Sequence, residues 1–389
     1  MERNVNSQII FKTIKEDSDA APLPTKQNRN GSIISNQTSP TTKNNSQIEK
    51  INEKDKIEIT NFIQRYNPEL LKTFEISDYI NRGSVGIFYE GKYKKGSNQK
   101  IGIKFYLNRK KNQKNDEINF MRKLKNKNII GLFGYMKIND NNTCAILELA
   151  KYGDLENCQN KLLKRKYLSE TLLCYLSKQI LDALKYIHNS KVLHSDIKPN
   201  NILIDSNLNV KLTDFSVSCS YANYDPNSKE KFPFVGTSKF ISPEILAKEK
   251  ILVKNANKID IYSMGVMLYY LAFGTYPYNL KSVKSKDYEN ILKTLKNSKK
   301  LEFLEDRKIS RVFQNFLEGV LELDIDKRLD VESALKHPWI LGAEIIMNEK
   351  EKICCLEKFL IKLITGDIME FNDYVKCEDE DKRRLMLEY

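Results

Sequence analysis

The chain has 389 residues, of which 41% are hydrophobic and 30% charged, with a formal net charge of +13. At about 150 residues per domain this allows two domains, or one large domain with extensions, and the apolar fraction excludes a chain disordered from end to end. The lysines are scattered among asparagines and acids instead of forming a basic block, so the charge reads as a solvated surface and implies no nucleic-acid partner.

Residues 1–53 are built of Asn, Ser, Thr, Lys and Gln, including "NRNGSIISNQTSPTTKNNSQ". Such a segment buries too little surface to offset its ordering entropy, and we expect a disordered arm. Residues 54–73 read as a linker or short helix. From 74 to 93 (FEISDYINRGSVGIFYEGKY) apolar residues alternate around a glycine-bearing turn, the pattern of a hairpin, and 101–106 (IGIKFY) is a further strand. Glu117, Met121 and Leu124 recur at helical spacing, and 144–149 (CAILEL) is a compact apolar strand. Beyond Tyr152 the pattern becomes helical. Residues 169–188 (SETLLCYLSKQILDALKYIH) form an amphipathic helix with Ser169 as cap, and 259–273 (IDIYSMGVMLYYLAF) is too short and too often interrupted to span a bilayer, so it reads as a buried core helix. The seven cysteines contain no CxxC pair and no apolar signal segment begins the chain, so reduced thiols in cytosol or nucleus are expected.

Several residues carry chemistry. Gly83 and Gly86 lie between strand-like runs, where missing side chains let backbone N–H groups approach a polyphosphate, although hairpin glycines are usually only turns. Lys104 stands inside an apolar strand and buries a charge unless an anion meets it. Glu117 is its natural partner, and an edge-strand lysine facing solvent is the competing reading. In "VLHSDIKPNNILIDSNLNVKLTDFS", 192–216, Asp196 suits the acid that orients an attacking hydroxyl and takes its proton, and Lys198 the cation for developing charge. Asn201 and Asp214 offer the hard oxygen ligands that magnesium prefers.

In family order these stretches resemble a eukaryotic protein kinase over 74–340. "INRGSVGIFY" is similar to the glycine-rich loop, "IGIK" to the third-strand lysine motif and "DEINFMRKL" to the αC helix with Glu117. "AILELAKYGDL" is similar to the hinge, with Leu147 at the gatekeeper position, and "HSDIKPNN" and "DFS" to the catalytic loop and metal-binding motif. "GTSKFISPE", "DIYSMG" and "LDIDKRLDVESALKHPWI" resemble the end of the activation segment, the αF start and the close of the large lobe.

The resemblance implies an α+β, two-lobed kinase fold, with a small β-rich lobe and a larger helical one. It implies ATP and Mg2+ as cofactors and proteins with Ser or Thr acceptors as substrates. Asp196 and Lys198 then carry catalysis, and Asn201 and Asp214 hold metal. Ile80, Asn81, Arg82, Gly83, Ser84, Val85, Gly86, Ile87, Phe88, Lys104, Glu117, Glu148 and Ala150 contact nucleotide. It further implies structural roles for His194 near Phe215, for a buried Glu244–Arg328 ion pair and for Asp260 as a cap on catalytic-loop N–H groups. His188 simply ends its helix and His337 lies in the terminal HPW. Lys198 and Thr237 resemble the serine/threonine type, and Asp154 resembles an acid that in some members reads a substrate arginine, although Asn200 stands where those members often carry a second acid.

Four residues depart from the pattern. Asn81 replaces the first loop glycine. Gly102 replaces the alanine beside Lys104, which is expected to enlarge the roof of the adenine pocket. Ser216 replaces the glycine of DFG, and Ser195 replaces the arginine that in many kinases pairs with a phosphorylated activation segment. The usual phosphoacceptor position is occupied by Phe232, Pro233 and Phe234, so activation is expected to be independent of phosphorylation there. A pseudokinase scaffold is the alternative, but no residue with a chemical job is missing. Beyond 340 the resemblance stops. In the 341–389 extension, residues 349–364 (EKEKICCLEKFLIKLI) have an amphipathic helical pattern, expected to pack on the large lobe or to bind a regulatory partner.

Overall fold

A computed structural model describes residues 56–342 except 58, 62, 66–67, 83–85, 95–99, 107–115, 140–141, 162–167, 169, 299, 305–306 and 308. The expected arm and C-terminal amphipathic helix lie outside the described residues, as do Gly83, Ser84, Val85 and Ser169. The chain divides into two units: Met1–Ile118 with Gly131–Leu149, and Asn119–Ile130 with Ala150–Tyr389.

In the first unit a short helix, α1 (Pro68–Thr73), runs straight into β1 (Phe74–Arg82). β2 (Ile87–Tyr93), β3 (Lys100–Tyr106), β4 (Leu132–Asn139) and β5 (Asn142–Leu147) complete a five-stranded antiparallel sheet in the order β1-β2-β3-β5-β4. The alternation read from the sequence is the core pattern: Phe74, Ile76, Ile87, Tyr89, Ile101, Ile103 and Phe105 are all buried. Ile59 and Ile63, one helical turn apart, are buried in the same cluster, so the segment before β1 seals one face of the sheet. β4 was not legible in the sequence. It is an edge strand whose outward residues include the exposed Phe133 and Tyr135, which inverts the usual apolar-in pattern. β5 ends at Leu147, two residues earlier than expected, because Glu148 leaves the ladder to bond Gly131 through both its backbone N–H (2.8 Å) and its side chain (3.0 Å). Helix α2 (Asp116–Lys123) contributes its first turn, with Glu117, to this unit.

The second unit is mainly helical. After β6 (Gly153–Asp154) and α3 (Leu155–Lys161) comes α4 (Glu170–Asn189), which buries Leu173, Ile180, Leu184 and Ile187 on one face. A set of short strands follows: β7 (Val192–Leu193), β8 (Ile202–Ile204), β9 (Val210–Leu212), β10 (Cys219–Ser220) and β11 (Lys229–Glu230). β6-β8-β9 form one small sheet, and β10 pairs β7. β11 pairs β12 (Ile251–Leu252), which follows the single-turn α5 (Pro243–Leu246).

Helix α6 (Lys258–Phe273) is buried almost throughout, as its apolar sequence requires, and stops at Gly274 in the left-handed region (φ 66°). Helices α7 (Tyr288–Asn297), α8 (Arg311–Val320) and α9 (Val331–Leu335) begin with side-chain caps from Asp287, Ser310 and Asp330. Trp339 stacks on Phe313 (centroids 4.3 Å apart) and closes the unit. Among the described residues no helix is long and apolar enough to cross a membrane.

Candidate active site

In the small sheet, Lys104 pairs with Ala145 and Phe88 across the ladder, and its Nζ reaches Glu117 Oε1 at 2.7 Å. Glu117 is 2% exposed and Lys104 16%, so the solvent-facing reading of this lysine is excluded, and the pair stands largely outside water, where each ion needs the other. Ile80, Asn81 and Arg82 end β1, with Asn81 opposite Phe88 and Arg82 opposite Ile87. Gly86 has a packing reason of its own, since a Cβ there would lie 2.2 Å from the Phe105 carbonyl oxygen. The room expected from Gly102 is not empty. The Phe88 ring tip lies 2.6 Å from where a Cβ would stand, so the missing methyl is filled by the neighbouring strand instead of enlarging a pocket.

In the helical unit, the loop after β7 is held from below by one carboxylate. Asp260 is fully buried and accepts from His194 N (2.9 Å), Ser195 N (2.9 Å) and His188 Nε2 (2.9 Å). Burial alone would raise its pKa, but the hydrogen bond and charge of His188 and the His194 contacts bring it below the ordinary carboxylate value. Ser195 needs this grip because its backbone sits in the left-handed region (φ 67°). His188, expected only to end its helix, is therefore part of the support.

His194 packs edge-on against Phe215 at 5.0 Å. Its Nε2 lies 2.9 Å from the Thr213 carbonyl, which can only accept, while its Nδ1 accepts from Asp196 N (3.3 Å).

Above this support the loop presents its side chains. Asp196 Oδ1 accepts from both the N–H and the hydroxyl of Thr237, each at 2.8 Å. Asp196 Oδ2 lies 2.7 Å from Lys198 Nζ and accepts from Asn201 Nδ2 (3.1 Å). Lys198 also donates to the Thr237 hydroxyl (2.8 Å). The approach depends on Gly236, whose φ is 101° and where a Cβ would stand 2.5 Å from the Ser195 carbonyl oxygen.

Asn201 spends its Nδ2 on the Asp196 carbonyl (2.8 Å) and carboxylate, which turns its amide oxygen into the end left for a cation. Thr213 N donates to Asn201 O (3.0 Å), tying the residue before Asp214 to the same loop, and Asp214 itself has a left-handed φ of 64°. One carboxylate and one amide oxygen would offer the hard, sparse donors that suit magnesium carrying water and phosphate in the rest of its shell. Asp196, Lys198 and Asn201 are thus brought together, and Thr237 joins them as a direct partner that sequence reading had valued only as a sign of acceptor type.

The protein kinase domain model matches residues 74–340. The chain belongs to the protein kinase family. Members of this family generally use ATP and Mg2+ and act on proteins. The chain is 28% identical over 307 residues to the probable serine/threonine-protein kinase fhkA of Dictyostelium discoideum, covering 70% of this chain and 50% of that one. It is 28% identical over 349 residues to the cell cycle serine/threonine-protein kinase CDC5/MSD2 of Saccharomyces cerevisiae, covering 87% and 46%. With death-associated protein kinase 2 of Mus musculus the identity is 31% over 251 residues, 62% of this chain and 63% of that one. The chain thus spans half or less of the length of the first two relatives.

The buried ion pair expected between Glu244 and Arg328 is present. Arg328 NH1 and NH2 each lie 2.9 Å from a Glu244 oxygen, and Arg328 also donates to the Glu322 and Lys258 carbonyls. Asp154, by contrast, has both oxygens engaged by Asn157, at the backbone N–H (2.8 Å) and at the side chain (2.7 Å). It caps the start of α3.

Proposed function

We propose that the chain is a serine/threonine protein kinase that transfers the γ-phosphate of ATP to hydroxyls of protein substrates. The observation that carries this reading is the Asp196 carboxylate, fixed through Oδ1 by Thr237 and through Oδ2 by Lys198 and Asn201. A carboxylate held this way can orient a serine or threonine hydroxyl and take its proton as the new O–P bond forms and the bond to ADP breaks. Lys198 offsets the charge that develops on the transferring group.

Asn201 and Asp214 would hold magnesium, which when bound supplies positive charge against the nucleotide phosphates. In the small unit, Lys104, steadied by Glu117, is the cation for the α- and β-phosphates. Ile80, Asn81, Arg82, Gly83, Ser84, Val85, Gly86, Ile87 and Phe88 form the phosphate cover, and the backbones of Glu148 and Ala150 take the adenine. The acceptor type follows from Lys198 and Thr237, which match the serine/threonine pattern.

Activity in this reading does not depend on a phosphate in the activation segment. Where an arginine would reach for one stands the short Ser195 side chain, which carries no positive charge. The space beside it is lined mainly by apolar side chains, among them Phe232, Pro233, Val235 and Ile241, with Ser195, Ser242 and Ser263 as its polar residues and no cation to pair a phosphate. The segment is pinned by other means: Tyr221 donates its N–H to Lys191 O (2.9 Å) and its hydroxyl to His188 O (3.2 Å), and β11 pairs β12.

The test is magnesium-ATP phosphotransfer to a degenerate peptide library with Asp196→Asn as control. Transfer to Ser and Thr peptides by the wild type, lost in the variant, is expected. Wild-type transfer no greater than the variant's would favour a scaffold that binds without catalysis.

A further inference from the structure

The surface that flanks Asp196 carries cations that meet no carboxylate among the described residues. Thr237, bonded to Asp196, opens the short turn Ser238–Phe240, and two residues of chain span at most about 7 Å, so Lys239 stands close to the carboxylate that would receive the acceptor hydroxyl. Lys239 is half-buried, with Nζ 4.6 Å from the centre of the Tyr276 ring. Tyr276 is in turn stacked on Tyr270, centroids 5.0 Å apart at 27°. Burial lowers the Lys239 pKa, and no carboxylate opposes that shift. Burial, and then the nearby Glu156, raise the pKa values of the two tyrosines.

A partly desolvated ammonium on an aromatic face is held by the ring alone until an anion arrives. Alongside it, Lys286 N donates to Ser238 Oγ (3.3 Å), which ties the backbone of the exposed Lys286 to this turn, with the exposed Lys284 two residues before it. The neighbouring acid Asp287 is spent on the start of α7, accepting from Asn290 N (3.3 Å) and Nδ2 (2.7 Å). Among the described residues neither Lys239 nor Lys284 nor Lys286 has a carboxylate within ion-pair distance.

We propose that Lys239, backed by Lys284 and Lys286, is a specificity-determining subsite for an anionic side chain, a carboxylate or a phosphate, carried by the protein substrate within a few residues of its acceptor hydroxyl. This rests on the phosphotransfer reading above and reverses the preference for basic substrates that Asp154 suggested in the sequence. Lys239 acts here on binding and not on the transfer step, so its effect belongs in KM.

The experiment uses the full chain and four fluorescent serine peptides that differ only beside the acceptor: Asp/Glu, phosphoserine, Ala or Arg. Anisotropy gives binding and magnesium-ATP transfer gives kcat and KM. The acidic peptide is expected to bind about tenfold tighter than the alanine one, the size of one charge-assisted hydrogen bond, with kcat little changed. Phosphoserine against Asp/Glu separates the two anion sources. Lys239→Glu should abolish the preference and favour the arginine peptide. Lys286→Glu, at an exposed position that cannot disturb the core, should weaken the preference two- to threefold. Melting curves exclude misfolding, and Lys239→Met repeats the test without introducing a charge. Equal binding of all four peptides, or an acidic preference that survives Lys239→Glu, overturns the proposal. If no peptide is phosphorylated but acidic peptides still bind through Lys239, the kinase reading fails and the anion subsite stands.

Discussion

Two aspartates of the helical unit meet at one loop, Asp196 as part of it and Asp260 as its support, and their surroundings differ in a way that matches the separate roles proposed for them. Asp260 is fully buried, and its partners are two backbone N–H groups and an imidazole, none of which can move without breaking the loop. Asp196 keeps 11% of its side chain exposed, and its partners include a threonine hydroxyl, a lysine and an amide that can rotate to admit a substrate oxygen. A carboxylate that holds structure is closed on all sides by rigid donors, whereas one that exchanges a proton is oriented by donors and left an opening.

The sharpest way to break this contrast is on the supporting side. Glu244→Ala leaves the Arg328 guanidinium buried and unpaired, and denaturant unfolding should show a loss of about 3–5 kcal/mol. Asp260→Asn should cost about 1–3 kcal/mol at neutral pH, because an amide cannot accept from all three donors. Its pH dependence has a definite sign. The folded pKa of Asp260 lies below its ordinary value of 3.8, so its contribution is complete above that value and is lost as pH falls through the lower, folded one. The stability gap between wild type and Asp260→Asn, followed by urea unfolding, should therefore hold from neutral pH to about 4 and shrink below it.

On the working side, Thr237→Val removes the hydroxyl from both Asp196 and Lys198, and kcat should fall about tenfold, one charged hydrogen bond, with little change in melting. The smallest expected effect is none. Phosphatase treatment should leave activity unchanged, and loss of activity mapped to residues 216–235 would show that Ser195 and its apolar surroundings do not replace a phosphate.

Much of this was legible in the sequence because the relevant signals are local. The alternation of 74–93 and the apolar run of 259–273 each declare their element, and Asp196, Lys198, Asn201 and Asp214 lie within nineteen residues of one another, at spacings that phosphoryl transfer explains. What escaped depends on contacts distant in sequence. Nothing near His188 announces that it will meet Asp260, 72 residues away. Thr237 reaches Asp196 across 41 residues, through a Gly236 turn that only the backbone geometry explains. The bonds of Asp154 to Asn157 were not legible for a related reason, since an acid at that position looks the same in sequence whether or not it caps a helix.

The most direct test of the account pairs two single substitutions, Asp196→Asn and Asp260→Asn, and measures melting temperature and phosphotransfer for each in the same preparations. Asp196→Asn should lose about 10²–10⁴-fold in kcat while melting like the wild type, and Asp260→Asn should melt lower. An Asp196→Asn protein that still transfers phosphate at the wild-type rate, or that loses activity only by unfolding, would contradict the role assigned to this carboxylate.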